Sequence, residues 1–154
     1  MSLVTMHEIL PYAEEKKIAI PAFNIDTMEI TQAILETVEE ENCPAIIAVG
    51  QAAIKDGKLE SLAATVRTLV KDMKTPVVLH LDHGQSVEQV VKALCAGFTS
   101  VMIDGSKLSF EDNIALTKSV ADAGRAMGVP VEAELGKVGG KEDDGPAVEG
   151  ESPY

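Results

Sequence analysis

Short runs of Val, Ile and Ala recur five times along this chain, each separated from the next by a stretch with helical periodicity. The runs are residues 17–25 (KIAIPAFNI), 44–50 (PAIIAVG), 76–84 (PVVLHLDHG), 99–105 (TSVMIDG) and 129–136 (VPVEAELG). They are bounded by Pro, Gly or Asn, and runs of this length and composition predict buried strands. Between them, 26–42 predicts a helix capped by Asp26, with Met28, Ile30, Ala33, Ile34, Thr37 and Val38 on its buried face. Residues 59–73 predict a second helix, and 86–97 a third that starts at Ser86 and stops at Gly97. The fourth, 109–128, has Ser109 as cap, Asp112 in capping-box position and Gly128 at its close. The predicted order is β-α-β-α-β-α-β-α-β. Strict alternation of buried strands and helices implies a parallel sheet covered by helices, either doubly wound or closed as a barrel.

The polar residues favour the barrel. Asn24, Asp82 with His83, Asp104 and Glu134 each stand at the C-terminal end of a predicted strand. Groups from several strands converging on one mouth suit a TIM (β/α)8 barrel better than a crevice at a single switch point. The chain supplies about the first five strands and four helices of such a barrel, as a single domain over 1–154. Residues 137–154 form a polar, Gly-rich acidic segment with neither helical nor strand periodicity, expected to be a mobile loop. Five strands do not close an eight-stranded barrel, and an open edge strand is an aggregation hazard. The expectation is therefore a fragment of a longer chain, or a sheet completed by an assembly or left open.

Composition removes several function classes. Thirteen Lys plus Arg against twenty-five Asp plus Glu leave a net charge of −12, which repels phosphate backbones and anionic lipid and argues against nucleic-acid or membrane partners. No apolar run has the length of a signal peptide or a membrane span. Cys43 and Cys95 lack the close pairing of a disulfide scaffold and read as free thiols in a reducing cytoplasm.

The segment HLDHG (80–84) carries the chemistry. Side chains two apart on a strand share a face, so Val77, Leu79 and Leu81 should pack on helices while His80 and Asp82 point into the barrel. His83 can join them only if the chain turns near residue 83, which Gly84 would ease. On the fifth strand Glu132 and Glu134 share a face, and carboxylates in a covered parallel strand need partners. Imidazole and carboxylate groups at one mouth suit a divalent metal, with an oxygen-only second ion at Asp104 and Glu134 also open. With His83 alone, a zinc site is under-ligated. The bland alternative makes His80 a satisfied core histidine and Asp82 a turn or cap residue. His7, near the start of the first helix, is expected to be structural or exposed. Lys107 and Lys141, polar and near strand ends, read as surface residues and not as Schiff-base lysines.

In this order and spacing, IPAFNI, LHLDHG, VMIDGS, VEAELG and GGKEDD resemble the class II, metal-dependent ketose-bisphosphate aldolases, from about Val4 to Tyr154. The chain corresponds to the first half of a family member. The resemblance implies a (β/α)8 barrel, a homodimer or homotetramer when complete. It also implies reversible cleavage of fructose or tagatose 1,6-bisphosphate to dihydroxyacetone phosphate and an aldehyde. It makes Asp82 the acid/base at the C4 oxygen and His83 a ligand of catalytic Zn2+. Asp104 and Glu134 match residues of a second monovalent or divalent cation or an alternative zinc position. Asn24 matches a substrate-contacting amide, and Glu142 the carboxylate that moves the proton beside the ketone. The family's other two zinc histidines and its phosphate-binding groups belong to strands beyond Tyr154, so the resemblance does not give this chain alone a complete site. Members often read VSEGA after strand two, whereas this chain reads VGQAA, so Gly50 stands where a substrate-polarising serine is common. Two other readings remain: a metal-dependent hydrolase, and a non-catalytic half-barrel acting as an assembly module.

Overall fold

The computed structural model describes residues 2–136. Its elements are α1 (Met6–Lys16), β1 (Ala22–Asn24), α2 (Met28–Glu41), β2 (Ala45–Val49), α3 (Gln51–Lys55) and α4 (Leu59–Leu69). They continue through a 3-10 turn (Val70–Asp72) to β3 (Val77–Gly84), α5 (Val87–Ala96), β4 (Ser100–Asp104), α6 (Phe110–Met127) and β5 (Val131–Glu134). All five predicted strands form, each shorter than or equal to its apolar run. α1 precedes the alternating series, and α3 is a short helix that the predicted order does not contain.

The strands form one parallel sheet in the order β1-β2-β3-β4-β5. A doubly wound sheet reverses direction at a switch point; this sheet never does, and every strand pairs with the next in sequence, as in a barrel wall. All C-terminal strand ends therefore lie along one edge. Ala48, His80 and Ser100 align across β2, β3 and β4, and Asp104 aligns with Glu134 across β4 and β5.

The two faces of β3 divide as alternation requires. Val77, Leu79 and Leu81 are fully buried in the main core with Leu62 and Val66 of α4 and Val90 of α5. Val78, on the opposite face, packs with Ile46 of β2 and Ile9 of α1. That second cluster places α1 against the inner face of the sheet, below His80. The apolar area removed from water on both faces is the main stabilising term.

Helix ends follow the sequence signals except at α2. Ser86 and Ser109 accept hydrogen bonds from Gln89 N and Asp112 N, and Gly97 and Gly128 close their helices in the left-handed region. The cap of α2 is Thr27, whose hydroxyl accepts from Ile30 N, and not Asp26. The buried stripe of α2 is Thr31, Leu35 and Val38. Of the predicted face, only Val38 is buried and Ile34 half-buried; Met28 and Ile30 are 58% and 46% exposed. Thr31 takes an interior position because its hydroxyl donates to Thr27 O at 2.7 Å, which satisfies the polar group locally. Ala33, Ile34 and Thr37 instead line an apolar groove with Phe23, beside β1 at the sheet edge.

Candidate metal centre

The end of β3 breaks strand alternation. Leu81 pairs with Val101 and Gly84 with Ile103, so three steps on β3 oppose two on β4. The extra residue is a bulge, and His83 takes it up with φ of 50°. Asp82 and His83, which alternation would send to opposite faces, are thereby brought to the same mouth. The turn falls on His83 itself and not on Gly84. Glycine at 84 serves a different purpose: a Cβ there would lie 2.5 Å from Met102 O. Only a bare backbone lets the bulge sit against β4.

Around His83 the carboxylates converge. Its Nδ1 lies 3.2 Å from Asp104 Oδ2 and 3.4 Å from Glu134 Oε2, and its Nε2 lies 3.9 Å from Asp82 Oδ1. Asn24 Nδ2 donates to Asp82 Oδ2 at 3.3 Å, which ties β1 to β3. Ser106 donates to Asp104 Oδ1 through both its backbone N (2.9 Å) and its hydroxyl (2.6 Å). Asp104 is thus held on one oxygen while the other faces His83. Four of the predicted residues, Asp82, His83, Asp104 and Glu134, come together here, with Asn24 alongside.

The electrostatics follow from this crowding. Burial lowers the pKa of His83, but the Asp104 hydrogen bond and the charges of Asp82, Asp104 and Glu134 outweigh it and hold the imidazole above its ordinary value. Burial pushes the Asp104 carboxyl up, yet the Ser106 hydrogen bonds and His83 hold it below the usual carboxylate range. His80 behaves oppositely: burial, the largest effect, drives it down against the pull of Glu132 and Asp82. The ring is 5% exposed, with Nδ1 2.9 Å from Ser100 Oγ and Nε2 3.6 Å from Glu132 Oε2. Both contacts are satisfied when Ser100 donates to Nδ1 and Nε2–H faces the carboxylate.

The donor set fits a divalent cation. His83, Asp104 and Glu134 each offer one ligand atom, and these atoms lie within 4.8 Å of one another. One imidazole nitrogen and two carboxylate oxygens are ligands that zinc and related ions accept. The three side chains are 35%, 8% and 15% exposed, so the group is sheltered yet reachable.

Several expectations change. Among the described residues β5 is the last strand of the sheet, and its residues are exposed or half-buried. The Glu132 side chain is 56% exposed, and still faces His80. His7 and Lys107 are exposed. Glu142 and Lys141 lie outside the described residues, as does the whole segment 137–154. Sequence reasoning missed Ser106 and Ser100, which orient Asp104 and His80. It also missed two buried amides, Gln51 and Asn113, that donate to His83 O and Glu134 O, each at 2.8 Å. The signal for Ser106 was its place two residues after a strand-end aspartate; buried glutamine and asparagine leave no periodic trace.

Residues 4–152 match the family described as fructose-bisphosphate aldolase class-II. Over 147 residues the chain is 48% identical to a probable fructose-bisphosphate aldolase of Bacillus subtilis (strain 168), covering 94% of this chain and 52% of the relative. It is 48% identical to the fructose-bisphosphate aldolase of Geobacillus stearothermophilus, covering 94% and 51%. Among solved structures, the YdjI aldolase of Escherichia coli K12 superposes with a TM-score of 0.82 at 34% identity, over 87% of this chain and 52% of that one. The chain spans about half the length of the curated relatives it matches. Its five parallel strands correspond to the N-terminal half of their barrel. With a family match over nearly its whole length, the chain belongs to the class II fructose-bisphosphate aldolase family.

Proposed function

We propose that the protein to which this chain belongs is a metal-dependent aldolase. It reversibly cleaves a ketose bisphosphate, fructose or tagatose 1,6-bisphosphate, to dihydroxyacetone phosphate and an aldehyde such as glyceraldehyde 3-phosphate. The observation that carries this reading is the meeting of His83, Asp104 and Glu134 beside Asp82 at the C-terminal edge of the sheet. The family match gives the group its chemistry.

His83 is the proposed zinc ligand, and Asp104 and Glu134 bind a second cation or an alternative zinc position. A bound divalent ion supplies a Lewis acid that stabilises negative charge developing on the substrate's ketone side. Asp82 takes the proton from the C4 hydroxyl as the C3–C4 bond breaks, and gives it back to the aldehyde oxygen in the reverse direction. The electron pair of that bond stays on the ketone fragment, and Glu142 returns a proton to C3. Asn24, donating to one oxygen of Asp82, holds that carboxylate in place and contacts substrate. The raised pKa of His83 means that a proton competes with metal for the imidazole, so metal affinity falls as the medium is acidified. The working protein is a cytoplasmic homodimer or homotetramer.

Two reactions separate this reading from its rivals. Chelation should abolish cleavage of fructose 1,6-bisphosphate and added zinc should restore it, while borohydride with substrate should leave the protein unlabelled. Cleavage that survives thorough metal removal contradicts the proposal.

A further inference from the structure

His83 carries a side chain at φ of 50°, a backbone state that residues with a Cβ adopt only when their surroundings hold them there. What holds it is visible on the outer side of the sheet. Gln51, the first residue of α3, is 4% exposed, and its Nε2 donates to His83 O at 2.8 Å. The same Nε2 lies 3.1 Å from Gln89 Oε1, and Gln89 Nε2 donates back to Gln51 Oε1 at 3.3 Å. Gln89 Oε1 also accepts from Gln85 N at 2.8 Å. The amide pair therefore fixes the carbonyl before Gly84 and the N–H after it, gripping the bulge from both sides.

A second amide does the same for Glu134. Asn113 of α6 is 6% exposed; its Nδ2 donates to Glu134 O at 2.8 Å, and its Oδ1 accepts from Thr117 Oγ1 at 3.1 Å. Gly105, directly after Asp104, makes room for it: a Cβ there would stand 2.6 Å from Asn113 Oδ1. Both amides are buried, and neither belongs to the ligand group. Each binds the carbonyl of a residue that does.

We infer that Gln51, locked by Gln89, and Asn113 are positioning residues that set the aim of His83 and Glu134 by clamping their backbone carbonyls. This rests on the reading that those two side chains hold divalent ions. A clamp on a carbonyl fixes the φ and ψ that direct the side chain, and orienting partners of metal ligands are worth roughly 10–100-fold in metal affinity. An amide that merely filled space would be replaceable by an apolar side chain of the same shape; a clamp would not.

The test is cobalt(II) titration of the purified protein, followed through affinity and visible absorption. The variants are Gln51→Met and Asn113→Leu, which keep bulk and lose the donor. His83→Ala reports whether the ion sits at this group, and Val66→Ala, a core truncation outside the ligand group and its amide partners, controls for lost stability. Weakening of roughly 10-fold or more with a changed spectrum in both amide variants, and neither effect in Val66→Ala, is expected. Unchanged affinity and spectrum in the amide variants, with binding lost in His83→Ala, overturns the clamp and leaves the metal site standing. Binding indifferent to His83→Ala overturns the metal site and the clamp with it.

Discussion

His83 meets three carboxylates because one residue too many is fitted into the end of β3. In a regular strand Asp82 and His83 would diverge; the bulge turns two neighbours in sequence into neighbours in space. The sequence made the ingredients legible, since HLDHG at a strand end has no packing reason to exist. It did not show where the turn falls, because a histidine in the left-handed region is disfavoured intrinsically and is held by Gln51, distant in sequence. Asp82 is within reach of the imidazole without belonging to the ligand group. Asp82→Ala should therefore lower turnover by roughly 100- to 10,000-fold, the usual worth of a general acid or base, while zinc content stays at the wild-type level. Metal analysis beside steady-state cleavage measures both. Undiminished turnover would place the proton transfer elsewhere.

At the scale of elements, the strands were easier to read than the helix faces. A buried strand of a parallel sheet announces itself by composition alone, whereas the face of α2 depends on what the helix leans against. Thr31 looks polar and is buried; Met28 looks apolar and is exposed. The C-terminal turn of α2 also does something that periodicity does not reveal. Glu39 accepts from Thr75 N at 2.9 Å and from Lys74 N at 3.0 and 3.1 Å, fastening the helix to the lead-in of β3. The Thr75 and Lys74 backbone bonds hold its carboxyl below the ordinary glutamate value. A carboxyl with a depressed folded pKa stabilises above its unfolded pKa and loses that contribution as pH falls through the folded one. Glu39→Gln should thus be less stable than wild type near neutrality, with the gap closing as pH drops through and below the ordinary glutamate range. Denaturant unfolding across that range checks it, and a gap independent of pH would show that Glu39 acts only through shape.

For the whole molecule, the sequential strand order is the deciding feature. Alternation of strands and helices admits both a doubly wound sheet and a barrel, and only the unreversed pairing from β1 to β5 separates them. The strand-end polar residues already leaned that way, since they came from strands one, three, four and five. The same order explains why proposed site residues more than a hundred positions apart, Asn24 and Glu134, stand on one edge. Among the described residues β1 and β5 are the outermost strands, and the Glu132 side chain on β5 is 56% exposed. None of the described helices is long and apolar enough to cross a membrane. The central claim is that this edge of the sheet holds the catalytic ion through His83, with Asp104 and Glu134 beside it. Zinc-edge anomalous scattering from crystals of the protein tests it most directly. A strong peak within coordination distance of the His83 imidazole and next to the two carboxylates is predicted, and zinc bound only at a place remote from these three side chains would contradict it.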